Sequence, residues 1–205
     1  MKINLEHIGR RFNREWIFRG INYEFVSGSS YAVLGANGAG KSTLLQVISG
    51  SLSSSEGKIS YLHADTMIDQ EKVFIHLSMA APYLELIEEF TLTELIDFHF
   101  RFKKYRQGFN KQGVIELLGL KNSEFKAIKY FSSGMKQRVK LALAFCTDSV
   151  ILLLDEPASN LDQQGLDWYL SLASAFSSDR LLIICSNQEQ EYSFCSHKVN
   201  IADYK

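Results

Sequence analysis

Proline is nearly absent: Pro82 and Pro157 are the only two in 205 residues. That scarcity excludes a proline-rich linker, a polyproline segment or a collagen-like repeat. Cysteine is also scarce, and Cys146, Cys185 and Cys195 have an odd count and no metal-type spacing. A disulfide framework is therefore excluded, and a reducing cytoplasm is the expected compartment. Neither sign of charge dominates, with 22 Lys and Arg against 23 Asp and Glu. No global field draws the chain to nucleic acid or anionic lipid, so no direct nucleic-acid partner is expected and any phosphate must be held locally. No apolar run reaches the roughly 18 residues of a membrane span, and Met1-Lys2-Ile3-Asn4-Leu5-Glu6 lacks the apolar region of a secretory signal. If the protein works at a membrane, another chain is expected to do the spanning.

What is present is an ordinary globular composition, 46% apolar and 22% charged, long enough to bury a core without staples. Short apolar runs alternate with helical-period segments, which predicts a mainly parallel sheet with helices on its faces. Ser30-Tyr31-Ala32-Val33-Leu34 reads as a buried strand, followed by a glycine loop and a helix from Lys41 to Ile48. Lys58-Ile59-Ser60-Tyr61-Leu62 and Val73-Phe74-Ile75-His76-Leu77 read as two further strands. From residue 83 to about 120 the texture becomes helical, with a capping-box pattern at Thr91-Leu92-Thr93-Glu94. A helix is expected just after Ser132-Ser133-Gly134, then a strand over residues 150–154, a helix over 163–176 and a strand over 181–185.

Gly35-Ala36-Asn37-Gly38-Ala39-Gly40-Lys41-Ser42 matches G-x-x-x-x-G-K-[ST], between a strand and a helix as that motif requires. Glycines let successive N–H groups converge on a polyphosphate while the helix directs its positive end to the same point. Lys41 is expected to neutralise the β- and γ-phosphates, Ser42 to ligate Mg²⁺ and Thr43 to complete the nucleotide contacts. Downstream, four aliphatic residues deliver Asp155 and Glu156 to the carboxyl end of a buried strand, where open α/β sheets bind ligands. Asp155 is expected to hold Mg²⁺ and Glu156 to polarise the attacking water.

With these elements in this order, the chain resembles the ATP-binding subunits of ABC transporters. Tyr130-Phe131-Ser132-Ser133-Gly134-Met135-Lys136-Gln137-Arg138 is similar to the family's LSGGQ signature segment, keeping Ser132 and Gly134, with Ser133 replacing the first of the two glycines. Ala158-Ser159-Asn160-Leu161-Asp162 resembles the D-loop. The resemblance implies an α/β P-loop NTPase core with a mainly parallel sheet, an N-terminal antiparallel β part and a helical insertion subdomain. One domain would span 1–205, its core made of 1–82 and 146–205 and its insertion of approximately 83–145. ATP and Mg²⁺ are the implied cofactors. Two nucleotides would be sandwiched between this chain and a second nucleotide-binding subunit, identical or not, with Ser132, Gly134 and Asp162 covering the opposite site. Transmembrane permease subunits are the implied partners, and the chain would sit peripherally on the inner face of the cell membrane. Phe12 falls at the spacing of the adenine-stacking aromatic, with Trp16 and Phe18 as alternative platforms.

Two departures bear on rate. Asn187 stands where the family places a histidine on the γ-phosphate, and an amide carries neither a proton nor a positive charge. Ahead of the insertion, Ala80-Ala81-Pro82-Tyr83 supplies no amide where the family has a glutamine. ATP binding with slow or partner-dependent hydrolysis is expected. The rival readings are a hydrolysis-impaired half of an asymmetric complex and a soluble non-transport ABC-type ATPase.

Overall fold

The computed structural model describes residues 1–205, with Lys121 described by its backbone alone. Strands β1 (Lys2–Phe12) and β2 (Glu15–Val26) form a hairpin, Phe12 opposite Glu15. Asn13 takes φ 53° at its tip, a left-handed conformation that asparagine tolerates better than most residues. Next come β3 (Ser30–Leu34), α1 (Lys41–Ile48), β4 (Glu56–His63), β5 (Thr66–Ile68) and β6 (Leu77–Ala80). Helices α2 (Leu92–Phe102), α3 (Lys111–Leu118) and α4 (Ser133–Cys146) follow. The chain ends with β7 (Ile151–Asp155), α5 (Gln163–Phe176), β8 (Leu181–Cys185), α6 (Glu189–Tyr192) and β9 (His197–Asn200).

The strands divide into an antiparallel sheet, β2-β1-β4-β5, and a parallel sheet, β6-β7-β8-β3-β9. Both faces of the parallel sheet are covered, which is why its central strands are continuous aliphatic runs rather than alternating ones. Val33, Leu153 and Ile183 point to one core, shared with Leu44, Leu45 and Ile48 of α1 and with Ile3, Phe18 and Phe25 of the antiparallel sheet. Leu152, Leu154, Leu182 and Ile184 point to the other core, against Leu141 and Phe145 of α4 and Tyr169 and Leu172 of α5. A third core joins α2, α3 and α4 through Leu92, Ile96, Val114, Ile115 and Val139.

The capping box expected at Thr91 is present. Its hydroxyl accepts from the Glu94 amide at 3.3 Å, and Glu94 Oε2 accepts from the Thr91 amide at 2.8 Å. Two expectations are corrected. Val73-Phe74-Ile75-His76 is not a strand; residues 70–76 form a 3₁₀ turn that buries Val73 and leaves Phe74 and Ile75 more than half exposed. The strand begins at Leu77, because residues 77–80 are the ones that pair with residues 151–154. Similarly, residues 83–90 are irregular rather than helical, and α2 starts only where Thr91 caps it.

Candidate functional site

Four connections leave the carboxyl edge of the parallel sheet side by side: the glycine loop after β3, a turn after β6, Asp155 and Glu156 at the end of β7, and Asn187 after β8. The loop's glycines are required by space as well as by backbone conformation. Gly35 has φ 149°, and a Cβ there would meet Ile201 at 2.7 Å; Gly40 has φ 105°, and a Cβ there would collide with Ile17. Gly38, at φ 75°, completes the curl, and α1 begins directly after Gly40. A helix start in this position directs unpaired amides toward an anion.

Lys41 is 5% exposed, and its ammonium donates to the carbonyls of Gly35 at 2.8 Å and Ala36 at 3.2 Å and to Asn187 Oδ1 at 3.1 Å. The Asn187 amide in turn donates to Asn37 Oδ1, closing a polar chain across the loop. Asn37, Gly38, Gly40, Lys41, Ser42 and Thr43 line a cavity of 190 Å³ with Ile17 and Glu156. Glu156 holds φ 44°, a costly conformation for this residue type, while its amide donates to the Cys185 carbonyl at 2.8 Å.

Asp155 is 1% exposed and neither carboxylate oxygen has a hydrogen-bond partner. Burial pushes its carboxyl up, the nearby Ser42 hydroxyl offsets part of that rise, Glu156 adds to it and Lys41 opposes it. A buried carboxylate without a partner is costly unless a cation completes it. Ser42 and Asp155 are a hard-oxygen pair suited to Mg²⁺.

Ser132 and Gly134 lie elsewhere. With Asn160, Leu161, Asp162 and Arg138 they line a second cleft of 380 Å³ that shares no lining residue with the glycine-loop cavity. Ser132 caps α4 by accepting from the Met135 amide at 3.2 Å, and its hydroxyl hydrogen remains available to an anion. Asp162 caps α5 by accepting from the Gly165 amide at 2.8 Å, so its carboxylate is committed to that helix. A Cβ on Gly134 would meet the Asn160 carbonyl at 2.9 Å, which leaves no room for a larger residue there.

Phe12 sits on the hairpin, 45% exposed, with the Arg10 guanidinium 4.5 Å from its ring centre; the cavity is lined by Ile17 rather than by Phe12. Phe18 is fully buried in the core and cannot serve as a base platform. Trp16 is flanked by the guanidinium groups of Arg19 and Arg11, at 4.6 and 5.6 Å from its ring centre.

Sequence reasoning missed two residues that fix the site. Gln137, 3% exposed on α4, donates to the Pro157 carbonyl at 2.8 Å and so ties the signature helix to the acidic strand's exit. Its place in the segment that resembles the signature was the available signal. Glu191, fully buried on α6, accepts from the Ala158 amide at 2.9 Å. A glutamate in Gln190-Glu191-Tyr192 gives no sign of burial.

A family model described as ABC transporter matches residues 18–159. The chain belongs to the ABC transporter family. This cassette is accordingly an ATP-binding and ATP-hydrolysing subunit of the transporter type. It is 30% identical over 197 residues to the energy-coupling factor transporter ATP-binding protein EcfA1 of Thermotoga maritima, covering 94% of this chain and 74% of that protein. It is 27% identical over 191 residues to the lantibiotic transport ATP-binding protein SrtF of Streptococcus pyogenes, covering 90% and 79%. Against mouse ATP-binding cassette sub-family A member 7 it is 28% identical over 184 residues, 88% of this chain but only 8% of that protein. Among solved structures, a putative ABC transporter ATP-binding protein from Pyrococcus furiosus superposes with a TM-score of 0.83 at 20% identity, covering both chains in full. A bacterial cassette solved as a dimer gives the same TM-score at 19% identity, covering 97% of this chain and 94% of that one. Among the described residues, no helix is long and apolar enough to cross a membrane.

Proposed function

We propose that this cassette binds Mg-ATP through residues 35–43 and hydrolyses it in a sandwich with a second cassette, driving transport through separate permease subunits at the inner face of the membrane. The observation that carries the reading is the separation of the two clefts. One chain offers a phosphate loop with its lysine in one place and a capped helix start with a free hydroxyl hydrogen in another, so a second chain must bring the two together over one nucleotide.

Lys41 leaves its carbonyl partners to neutralise the β- and γ-phosphates, and the amides that open α1 hold the same oxygens. Ser42 and Asp155 would hold Mg²⁺, which when bound neutralises charge on the phosphates. Glu156, which lines the cavity, orients and polarises the water that attacks the γ-phosphorus. Asn187 hydrogen-bonds a phosphate oxygen without carrying charge, which makes turnover slow. Phe12 stacks on adenine, one face of its ring already occupied by Arg10. The core of 1–82 and 146–205 carries the phosphate loop, and the insertion of about 83–145 carries the signature. Leu86, Ile87, Leu95, Phe98 and Phe102 line a mainly apolar groove of 260 Å³ on that insertion, with Phe102 74% exposed, and this groove receives the permease.

Turnover of Mg-ATP by the wild type beside Glu156→Gln, with size-exclusion chromatography in saturating ATP, tests this reading. Slow turnover that Glu156→Gln reduces by about 100-fold or more, together with an ATP-dependent dimer, is expected. Undiminished turnover in Glu156→Gln would refute the assignment of that carboxylate. The bridge from Asn187 to Lys41 and Asn37 favours one second reading, a hydrolysis-impaired half of an asymmetric pair. That reading predicts tight ATP binding with no turnover in either protein.

A further inference from the structure

Glu156 is held in a backbone conformation that glutamate avoids. Its φ of 44° lies in the left-handed region, and Pro157 directly after it narrows the conformations open to it further. Such strain persists only where neighbouring contacts over-determine the chain. Around Glu156, three successive peptide groups are tied. The Glu156 amide donates to the Cys185 carbonyl of β8 at 2.8 Å, and the Glu156 carbonyl accepts from the Ser159 amide at 3.0 Å. Pro157 has no N–H to add. The third group, the peptide between Pro157 and Ala158, is gripped by side chains from two separate helices.

The carbonyl of that peptide accepts from Gln137 Nε2 of α4 at 2.8 Å, and its N–H donates to Glu191 Oε1 of α6 at 2.9 Å. The C=O and N–H of a trans peptide point to opposite sides of the chain, so the two side chains hold one plane from both flanks. Each is presented by an anchored element. Leu141 and Phe145, one and two turns beyond Gln137, pack α4 against the parallel sheet. On α6, the Glu191 carbonyl accepts from the Tyr169 hydroxyl at 2.8 Å, and the Glu191 amide donates to the Gln188 carbonyl at 2.9 Å.

We propose that Gln137 and Glu191 are a pair of positioning residues for Glu156, resting on the reading of Glu156 as the group that polarises the attacking water. By fixing the 157–158 peptide from both sides they keep Glu156 in its left-handed backbone and so aim its carboxylate into the phosphate-loop cavity. Without either grip the Glu156 backbone relaxes toward an ordinary conformation and the carboxylate turns away from the water. The phosphate loop is untouched by that relaxation, since neither side chain lines its cavity. Chemistry should therefore suffer while nucleotide binding does not.

The test is steady-state Mg-ATP hydrolysis by the full chain, well below its melting temperature, beside equilibrium binding of a fluorescent ATP analogue. Gln137→Met keeps the side-chain volume and removes the donor, and Glu191→Leu removes the acceptor. Each is expected to lower kcat by about 10-fold or more with KM and analogue affinity unchanged. Glu191→Gln, which keeps an acceptor for the Ala158 amide, should recover most of the turnover that Glu191→Leu loses. The double variant Gln137→Met with Glu191→Leu should fall little below either single one, because both grip the same peptide. Unchanged kcat in Gln137→Met and Glu191→Leu would overturn the proposal. So would equal losses of kcat and nucleotide affinity, the mark of general loosening, or a Glu191→Gln protein as slow as Glu191→Leu. Full turnover in Glu156→Gln would instead overturn the reading on which the pair's role stands.

Discussion

Removing the Glu191 side chain should loosen the exit of the acidic strand. Its Oε1 accepts from the Ala158 amide at 2.9 Å, while Oε2 is buried with no partner. Glu191→Ala deletes a hydrogen bond to a carboxylate and leaves the Ala158 N–H unpaired in a region that excludes water. A bond of that kind contributes about 1.5–3 kcal/mol. For a chain of this size each kcal/mol shifts the melting temperature by about 2–4 °C, so Tm should fall by about 3–12 °C. Glu191→Gln keeps an acceptor for Ala158 and removes the charge, which separates the two contributions. Burial pushes the Glu191 carboxyl up, opposed by contacts from Ser186 and Ala158 and reinforced by the charges of Glu156 and Asp155. An acid whose folded pKa is raised destabilises the fold progressively as pH climbs from the unfolded pKa to the folded one. Glu191→Gln should therefore gain on the wild type as pH rises above the ordinary glutamate range, and the gap should close as pH falls back into it. Thermal unfolding of the three proteins from pH 5 to pH 8 measures both effects. A Glu191→Ala protein melting within 1 °C of wild type, or a gap to Glu191→Gln that does not change with pH, would refute the reasoning.

Gly40→Ala should lose at least about 2 kcal/mol of stability, or shift the loop enough to abolish nucleotide binding, because both the positive φ and Ile17 oppose a Cβ there; chemical denaturation with and without ATP distinguishes the two. Asp155→Asn should raise the metal-free melting temperature, since it removes an unpaired buried charge, yet lose the further stabilisation that Mg-ATP gives the wild type; differential scanning fluorimetry with and without Mg-ATP checks both signs. Asn187→His should raise turnover above that of the wild type by restoring a titratable group at the γ-phosphate, and a rate equal to wild type would remove Asn187 as the cause of slow hydrolysis.

The phosphate loop, α1 and the strand carrying Asp155 could be read from sequence because each is a local pattern: glycines at fixed offsets, a helical period, an unbroken aliphatic run. β9 could not, since in His197–Asn200 only Val199 is buried and no alternation results. Val73-Phe74-Ile75-His76-Leu77 misled because apolar residues exposed on a turn look like those of a strand. What fixed the outcome was pairing with residues 151–154, a partner far away in the chain. Glu191 and Gln137 share that cause. Each acts through a contact with a distant segment, and nothing in its immediate neighbours marks it.

The ammonium of Lys41 is already solvated by carbonyls and an amide of its own protein before any nucleotide arrives. Binding is therefore a ligand exchange at nitrogen rather than the capture of a bare charge. What the incoming phosphates gain is only the excess of their attraction over that of the oxygens they displace. The same exchange keeps the resting loop folded around its cation, so the nucleotide meets a shaped cradle, and its departure leaves the lysine somewhere to return.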